Sequence, residues 1–215
     1  MAEKYLFFDS ADPVNPDRTY NAEEFTDYFS AIITTGIMQG ETEELKVSVS
    51  GSNMVSTVGT GIAFINGKYY QNDDPLDLTH DTESIGVDRI DRVVIRLDLN
   101  TENRYVRAFV KKGQASSNPS PPVLTRSGSI YEISLAQVLV RGGQTYIAAE
   151  DVTDERGVPE VCPWATSKII PDTTDAVTNH IDDVMPHRFV DGEETYRYGW
   201  KVEDGVLKFI YEEVI

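Results

Sequence analysis

The chain has 215 residues, of which 40% are hydrophobic and 10% aromatic, and it carries a formal net charge of −17 at pH 7. This apolar content is enough to form a core and excludes wholesale disorder, while no apolar run approaches the roughly 18 residues of a membrane-spanning helix. Because so negative a charge repels nucleic acid and anionic membranes, we expect no nucleic acid partner and no membrane insertion.

The first predicted element is a helix over residues 21–34, which follows an extended N-terminal arm. Asn21 is a suitable N-cap, and Glu24 three residues later completes a capping box. Phe25, Phe29 and Ile32 belong to an apolar stripe with helical spacing. We expect the stripe to be buried in a core; the alternative is that it faces a neighbouring subunit.

Beyond residue 44 the apolar residues alternate with polar ones, which predicts half-buried β-strands. The Asn-Gly pair at residues 66–67 lies between apolar flanks and predicts a hairpin with a type I′ turn. Residues 93–99 and 106–110 predict a long antiparallel hairpin, and residues 131–140 a further strand.

The stretch 89–112 is the only basic part of the chain, with seven basic and three acidic residues. One interpretation is an exposed sheet face that meets acidic neighbours. The other is a docking surface for an acidic partner protein. DNA binding is expected under neither.

The C-terminal part is predicted to be a separate segment. Residues 157–176 lack clear periodicity and are predicted to form a linker. Val177, Ile181 and Val184 then have the d, a, d spacing of a short coiled coil, although a single surface helix explains them equally well. The last residues predict a β-hairpin with one aromatic face, which carries Tyr196, Tyr198, Trp200, Phe209 and Tyr211.

Together these elements predict a mainly β fold. We expect an antiparallel β-sandwich-like domain at residues 1–156 with one N-terminal amphipathic helix. The linker 157–176 follows, and residues 177–215 form a small C-terminal segment with a helix and the terminal hairpin.

No pattern of a known catalytic or metal site is present. The chain lacks the G-x-S-x-G, Walker-type, G-x-G-x-x-G and H-E-x-x-H motifs. His180 and His187 flank two aspartates, but their spacing across Pro186 predicts that the two rings are apart. We therefore predict a protein that is not an enzyme and that needs no cofactor and no metal.

The single cysteine, Cys162, has no histidine near it in the sequence and is expected to be a buried, inert thiol. One cysteine cannot form a disulfide within the chain, and the N-terminus shows no basic flank followed by an apolar stretch. We therefore expect the protein to be made in the cytoplasm.

Five segments resemble, in the same order along the chain, a family of tail and baseplate proteins of phages that infect Gram-positive bacteria. The segments are DRTYNAEEF (17–25), GIAFING (61–67), RIDRVVIRLD (89–98), VKKG through Asn118-Pro119 (110–119) and DVTDER (151–156). The later segments MPHRFV (185–190) and YRYGW (196–200) are similar to a recurring ending of Bacillus-type siphophage structural proteins.

This resemblance implies a structural role in a virion or phage-derived particle, attachment at the tail end, and a homotrimer. The short segment after residue 156 favours an adaptor that docks to other tail or baseplate proteins and supports fibre or receptor-binding proteins. The alternative is a receptor protein whose C-terminal aromatic hairpin binds host cell-wall saccharide. The candidate interface residues are Phe25, Phe29, Val177, Ile181, Val184, Tyr196, Tyr198, Trp200, Phe209 and Tyr211.

Overall fold

The computed structural model describes residues 3, 6–12, 14–40, 43–169 and 174–214. The chain divides into two compact units, Met1–Ile169 and Ile170–Ile215. Strands make up 43% of it and helices 10%, and the strands pair in antiparallel sheets, so the predicted mainly β fold with an N-terminal helix is confirmed.

The first unit contains one α-helix and eleven short to medium strands within the described residues. They are α1 (Ala22–Ile32), β1 (Gly36–Ile37), β2 (Val47–Val49), β3 (Val55–Val58), β4 (Gly61–Ile65), β5 (Lys68–Asn72), β6 (Leu76–Thr79), β7 (Arg89–Asp98), β8 (Tyr105–Lys111), β9 (Arg126–Ser127), β10 (Ile130–Val140) and β11 (Val152–Asp154). A single 3-10 turn, Ala149–Asp151, precedes β11.

The strands of the first unit form three antiparallel sheets around one core. Their orders are β1-β4-β5, β2-β3-β6 and β11-β10-β7-β8, with β9 added beside β10. The β4–β5 hairpin turns at Asn66 (φ 48°) and Gly67 (φ 76°), as a type I′ turn requires. The long β7–β8 hairpin and the strand β10 also lie where the sequence predicts them. The shared core includes Ile37, Leu45, Val58, Ile65, Val93, Ile95, Ile133, Leu135 and Val138.

The helix α1 begins as predicted but is not buried. The Asn21 side chain accepts hydrogen bonds from the N–H groups of Glu23 (2.9 Å) and Glu24 (3.1 Å), and Glu24 accepts one from the N–H of Asn21 (2.9 Å), so the capping box is present. However, Phe25 and Phe29 keep 44% and 38% of their surface exposed. The prediction that the stripe is buried was therefore wrong.

The exposure of α1 follows from how little of it meets the sheets. The helix approaches the β4–β5 turn at Gly67, where a Cβ would lie 2.3 Å from the carbonyl oxygen of Thr26. The ring of Phe29 lies beside Phe64 of β4, with ring centroids 6.2 Å apart. On its other side the stripe contacts Phe7 of the N-terminal arm, whose ring lies 5.5 Å from that of Phe25.

We expect Phe29→Ala to lower the free energy of unfolding by about 1–2 kcal/mol, because the ring is only partly buried. A fully buried phenylalanine costs about 3–5 kcal/mol. Urea denaturation measures the change, with Ile65→Ala in the core as the matched control, for which a loss of about 2–5 kcal/mol is expected. A loss above 3 kcal/mol for Phe29→Ala would contradict this placement.

The first half of the predicted linker belongs to the first unit. Cys162 is fully buried, and the backbone of residues 163–165 pairs with Ile37 through hydrogen bonds of 3.0 and 2.8 Å. Gly36 permits this contact, because a Cβ there would lie 2.5 Å from the carbonyl oxygen of Pro163. Residues 157–169 therefore belong to the first unit, with Cys162 in its core, and residues 170–173 of the predicted linker lie outside the described residues.

Four of the seven cations of the basic stretch pair with buried carboxylates of the same chain. Glu132, which is fully buried, accepts from Arg96 and Lys111, each at 2.6 Å. Arg92 lies 3.1 Å from Glu155, and Arg89 lies 2.7 Å from Asp91. These side chains therefore meet acidic neighbours, as the first interpretation holds, but on a largely buried layer of the sheet instead of an exposed face.

Candidate functional site

The second unit is a small helix followed by a three-stranded antiparallel sheet. Its elements are α2 (Thr174–Asp182), β12 (His187–Asp191), β13 (Glu194–Glu203) and β14 (Val206–Glu213), with β13 in the centre. The predicted hairpin is β13–β14, and it turns at Asp204 (φ 55°) and Gly205 (φ 76°) as a second type I′ turn. The strand β12 was not predicted.

The register places six aromatic rings on one face of this sheet. Phe189 is opposite Tyr196, Tyr198 is opposite Tyr211, and Trp200 is opposite Phe209. Because side chains alternate between the two faces of a strand, all six point to the same side. We call this surface the aromatic face; it consists of Phe189, Tyr196, Tyr198, Trp200, Phe209 and Tyr211.

Neighbouring rings of the aromatic face contact each other but leave it uncovered. Phe189 stacks on Tyr196 with ring centroids 5.0 Å apart, and Trp200 meets Phe209 edge-on at 5.2 Å, both within the usual range for aromatic pairs. Nevertheless Trp200 is 58% and Tyr211 65% exposed. The hydrogen bond that the Tyr196 hydroxyl donates to Glu194 raises the pKa of Tyr196 to about 12, so this ring stays neutral.

The centre of the opposite face of the sheet is covered by the unit's own chain. Gly199 lies against the backbone of Val184, where a Cβ would be 1.8 Å from the carbonyl oxygen, so only glycine fits. Arg197 donates to Asp183 at 2.6 Å. The N–H of Met185 and the charge of Arg197 hold the pKa of Asp183 below its ordinary value. The two faces therefore differ at their centres: residues 183–185 cover the centre of one face, and the aromatic face is open.

The predicted coiled-coil seam is only partly helical. Val177 and Ile181 lie on α2, whereas Val184 lies two residues beyond its end. All three side chains are exposed. A helix of nine residues is too short to be stable alone in water.

The rings of His180 and His187 are close together, contrary to the sequence prediction. Their centroids are 5.1 Å apart in an edge-on arrangement. In the part of the chain that the structure describes, no group of three or more His, Cys, Asp or Glu side chains is arranged to hold a metal ion.

Phe25 and Phe29 belong to the first unit and form no part of the aromatic face. They lie on α1 with the ring of Phe7, as described above. The ten candidate interface residues therefore fall into two sets, one in each unit.

A buried hydrogen-bonded chain of Ser56, His80 and Asp91 was missed by the sequence analysis. Ser56 Oγ lies 2.9 Å from His80 Nε2, and His80 Nδ1 lies 2.9 Å from Asp91 Oδ2. Burial alone would raise the pKa of Asp91, but hydrogen bonds from His80 and Arg89 bring it below its ordinary value. No short motif links these residues, because they come from β3, the end of β6 and β7.

The hydrogen bonds from Ser56 to His80 and from His80 to Asp91 have the connectivity of a nucleophile, a base and an orienting carboxylate. Ser56 is fully buried, however, and His80 and Asp91 are buried as well. A substrate carbonyl cannot reach Ser56 Oγ in this conformation. We therefore interpret the three residues as a structural network of the core. Cys162 is equally inaccessible, and burial raises the pKa of its thiol, which disfavours the nucleophilic thiolate.

Comparison of the chain with protein-family models, curated proteins and solved structures finds no match. None of the described helices is long and apolar enough to cross a membrane. Function is therefore inferred from the sequence resemblance and from the surfaces of the two units.

Proposed function

We propose that the protein is a structural component of the tail tip or baseplate of a phage of Gram-positive bacteria, or of a phage-derived particle. It acts as an adaptor between the tail and fibre or receptor-binding proteins. The segments quoted above supply the resemblance to tail and baseplate proteins. The open aromatic face is the single observation that carries an assembly role, because a monomeric protein rarely exposes so large a contiguous apolar patch.

The two units have different roles in this proposal. The first unit docks to other tail or baseplate proteins, and the second associates with copies of itself. Three sheets around an axis can cover one another's aromatic faces, and phage fibre-like proteins similar to this one are commonly threefold. The homotrimer therefore buries Trp200, Phe209 and Tyr211, which the single chain leaves exposed.

Light scattering of the full chain at tens of micromolar is expected to give the mass of a trimer. A shortened chain that ends at Ile169 keeps the whole first unit, including buried Cys162, and is expected to be monomeric. Residues 150–215 carry 16 acidic and 6 basic side chains, so their mutual repulsion opposes assembly. Added salt should therefore strengthen the trimer by screening that repulsion.

A monomeric full chain contradicts the trimer. A trimeric shortened chain places the interface in the first unit instead, where the exposed α1 stripe with Phe25 and Phe29 is the available surface.

The second candidate function is binding of host cell-wall saccharide. It is favoured by the exposed rings of Trp200 and Tyr211, since flat aromatic rings stack on the apolar faces of sugars. Sedimentation with purified Gram-positive cell walls separates the two functions. An adaptor stays in the supernatant, whereas a saccharide-binding protein sediments with the walls and loses this property in Trp200→Ala.

A further inference from the structure

A groove of about 410 Å³ opens in the first unit, where α1 begins near the start of β5 and near the β7–β8 connection. Its volume falls in the range of small-molecule sites, roughly 300–1,000 Å³. Leu97 and Leu99 form part of its wall, and Tyr69 lies at its rim. Leu99 and Tyr69 are each about half exposed, so the groove presents apolar surface to solvent.

The charged groups of the groove are mainly cationic. Arg104 and Lys68 line it, and Arg107 stacks over the ring of Tyr105 at 4.2 Å beside it. Within the described residues, the Arg104 side chain makes no hydrogen bond and no ion pair. Arg104 is exposed at the groove, so its guanidinium group is accessible to a ligand.

The carboxylate nearest to Arg104 in the groove is already engaged. Asp98 accepts hydrogen bonds from the N–H of Asn100 (2.9 Å), from Asn100 Nδ2 (2.8 Å) and from Asn103 Nδ2 (2.8 Å). These bonds hold the β7–β8 connection. Asp98 therefore stabilises the loop that presents Arg104 and does not form an ion pair with it.

The backbone of Arg104 has a conformation that is unfavourable for a residue other than glycine. Its φ is +49°, in the left-handed region that favours glycine. The N–H of Arg104 donates to Asn100 O at 3.1 Å, which closes the connection. Hairpin loops of this kind usually place glycine at the left-handed position. An arginine here therefore costs stability relative to glycine.

We propose that this groove binds a small organic anion, namely a carboxylate or phosphate attached to an aromatic or aliphatic body. The body packs against Leu97, Leu99 and Tyr69, and the anionic group pairs with Arg104 and Lys68. This site is independent of the aromatic face and of the adaptor role.

Three probes distinguish the contribution of the apolar body of the ligand from that of its anionic group. 3-Phenylpropionate carries both the ring and the charge, 3-phenylpropanamide carries the ring alone, and propionate carries the charge alone. Titration followed by amide chemical shifts in NMR is expected to give a Kd in roughly the millimolar range for 3-phenylpropionate, as suits a ligand of this size. Each of the other two probes should bind about tenfold more weakly.

Arg104→Gly is the decisive variant, because it separates binding from folding. Glycine suits the left-handed backbone, so the melting temperature should be equal to or above that of the wild type. The affinity for 3-phenylpropionate should nevertheless fall about tenfold, because a charge-assisted contact is lost. Asp204→Gly is the matched control: it makes the same backbone change at a left-handed turn of the other unit and should leave binding unchanged.

Several results would overturn the proposal. They are unchanged binding in Arg104→Gly, equal affinity for 3-phenylpropionate and its amide, and no shift in any groove residue at roughly tens of millimolar probe. Binding of a neutral saccharide such as methyl glucoside that survives Arg104→Gly would also overturn it, since the groove would then be a sugar site.

Discussion

Glu132→Ala is expected to lower the free energy of unfolding by about 3–5 kcal/mol, because it removes one partner from a buried ion-pair network. The Glu132 carboxylate is fully buried and accepts from Arg96, Lys111 and the N–H of Thr125, all at 2.6 Å. Without it, two cations and one backbone N–H group lose this buried acceptor. Equilibrium unfolding in urea, followed by tryptophan fluorescence, measures the change.

An exposed ion pair of the same unit provides the control. Asp81 lies 2.8 Å from Lys112, and their side chains are 71% and 55% exposed. Asp81→Ala should therefore cost less than about 1 kcal/mol. If Glu132→Ala also costs less than 1 kcal/mol, then water satisfies Arg96 and Lys111 and the network contributes little to stability.

The same ion-pair network predicts how the free energy of unfolding depends on pH. Burial acts to raise the pKa of Glu132, but hydrogen bonds from Lys111, Thr125 and Arg96 outweigh it and lower the pKa below its ordinary value. A carboxyl whose folded pKa is lowered stabilises the fold above its unfolded pKa, about 4.3, and loses that contribution as the pH falls through the folded value. The stability difference between the wild type and Glu132→Gln should therefore shrink below about pH 4.

Local sequence signals were sufficient for the hairpins and for the start of α1. Both type I′ turns, at residues 66–67 and 204–205, have Gly after Asn or Asp, and the residues that favour them are adjacent in the chain. The capping box of Asn21 and Glu24 is equally local. Aromatic residues occupy alternate positions in β13 and β14. Once these two strands are paired as a hairpin, this alternation predicts which rings share a face.

Features that depend on distant contacts could not be predicted. The stripe of α1 indicates an amphipathic helix, but not which surface covers it, and the sheets cover little of it. Residues 157–169 show no apolar periodicity. They form no regular strand, and residues 163–165 pair with Ile37 through isolated backbone hydrogen bonds. β12 was missed because His187 and Arg188 interrupt its apolar pattern, and the Ser56–His80–Asp91 chain joins three separate strand regions.

The double variant Trp200→Ala/Tyr211→Ala is expected to convert the proposed trimer into a monomer at tens of micromolar. Central aromatic residues of an interface typically contribute about 2 kcal/mol or more each, so the loss of two weakens assembly roughly a hundredfold to a thousandfold or more. Both rings are more than half exposed in the single chain, so the sheet itself should keep its fold, which far-UV circular dichroism checks.

The matched control for this double variant lies on the opposite face of the same strands. Lys201→Ala/Lys208→Ala changes two side chains that are directly opposite each other on β13 and β14 but point away from the aromatic face. This variant should remain trimeric in light scattering. If both double variants are monomeric, the loss reflects general weakening of the small sheet. If Trp200→Ala/Tyr211→Ala remains trimeric, the aromatic face is not the trimer interface, and its exposed rings bind a partner other than a copy of this chain.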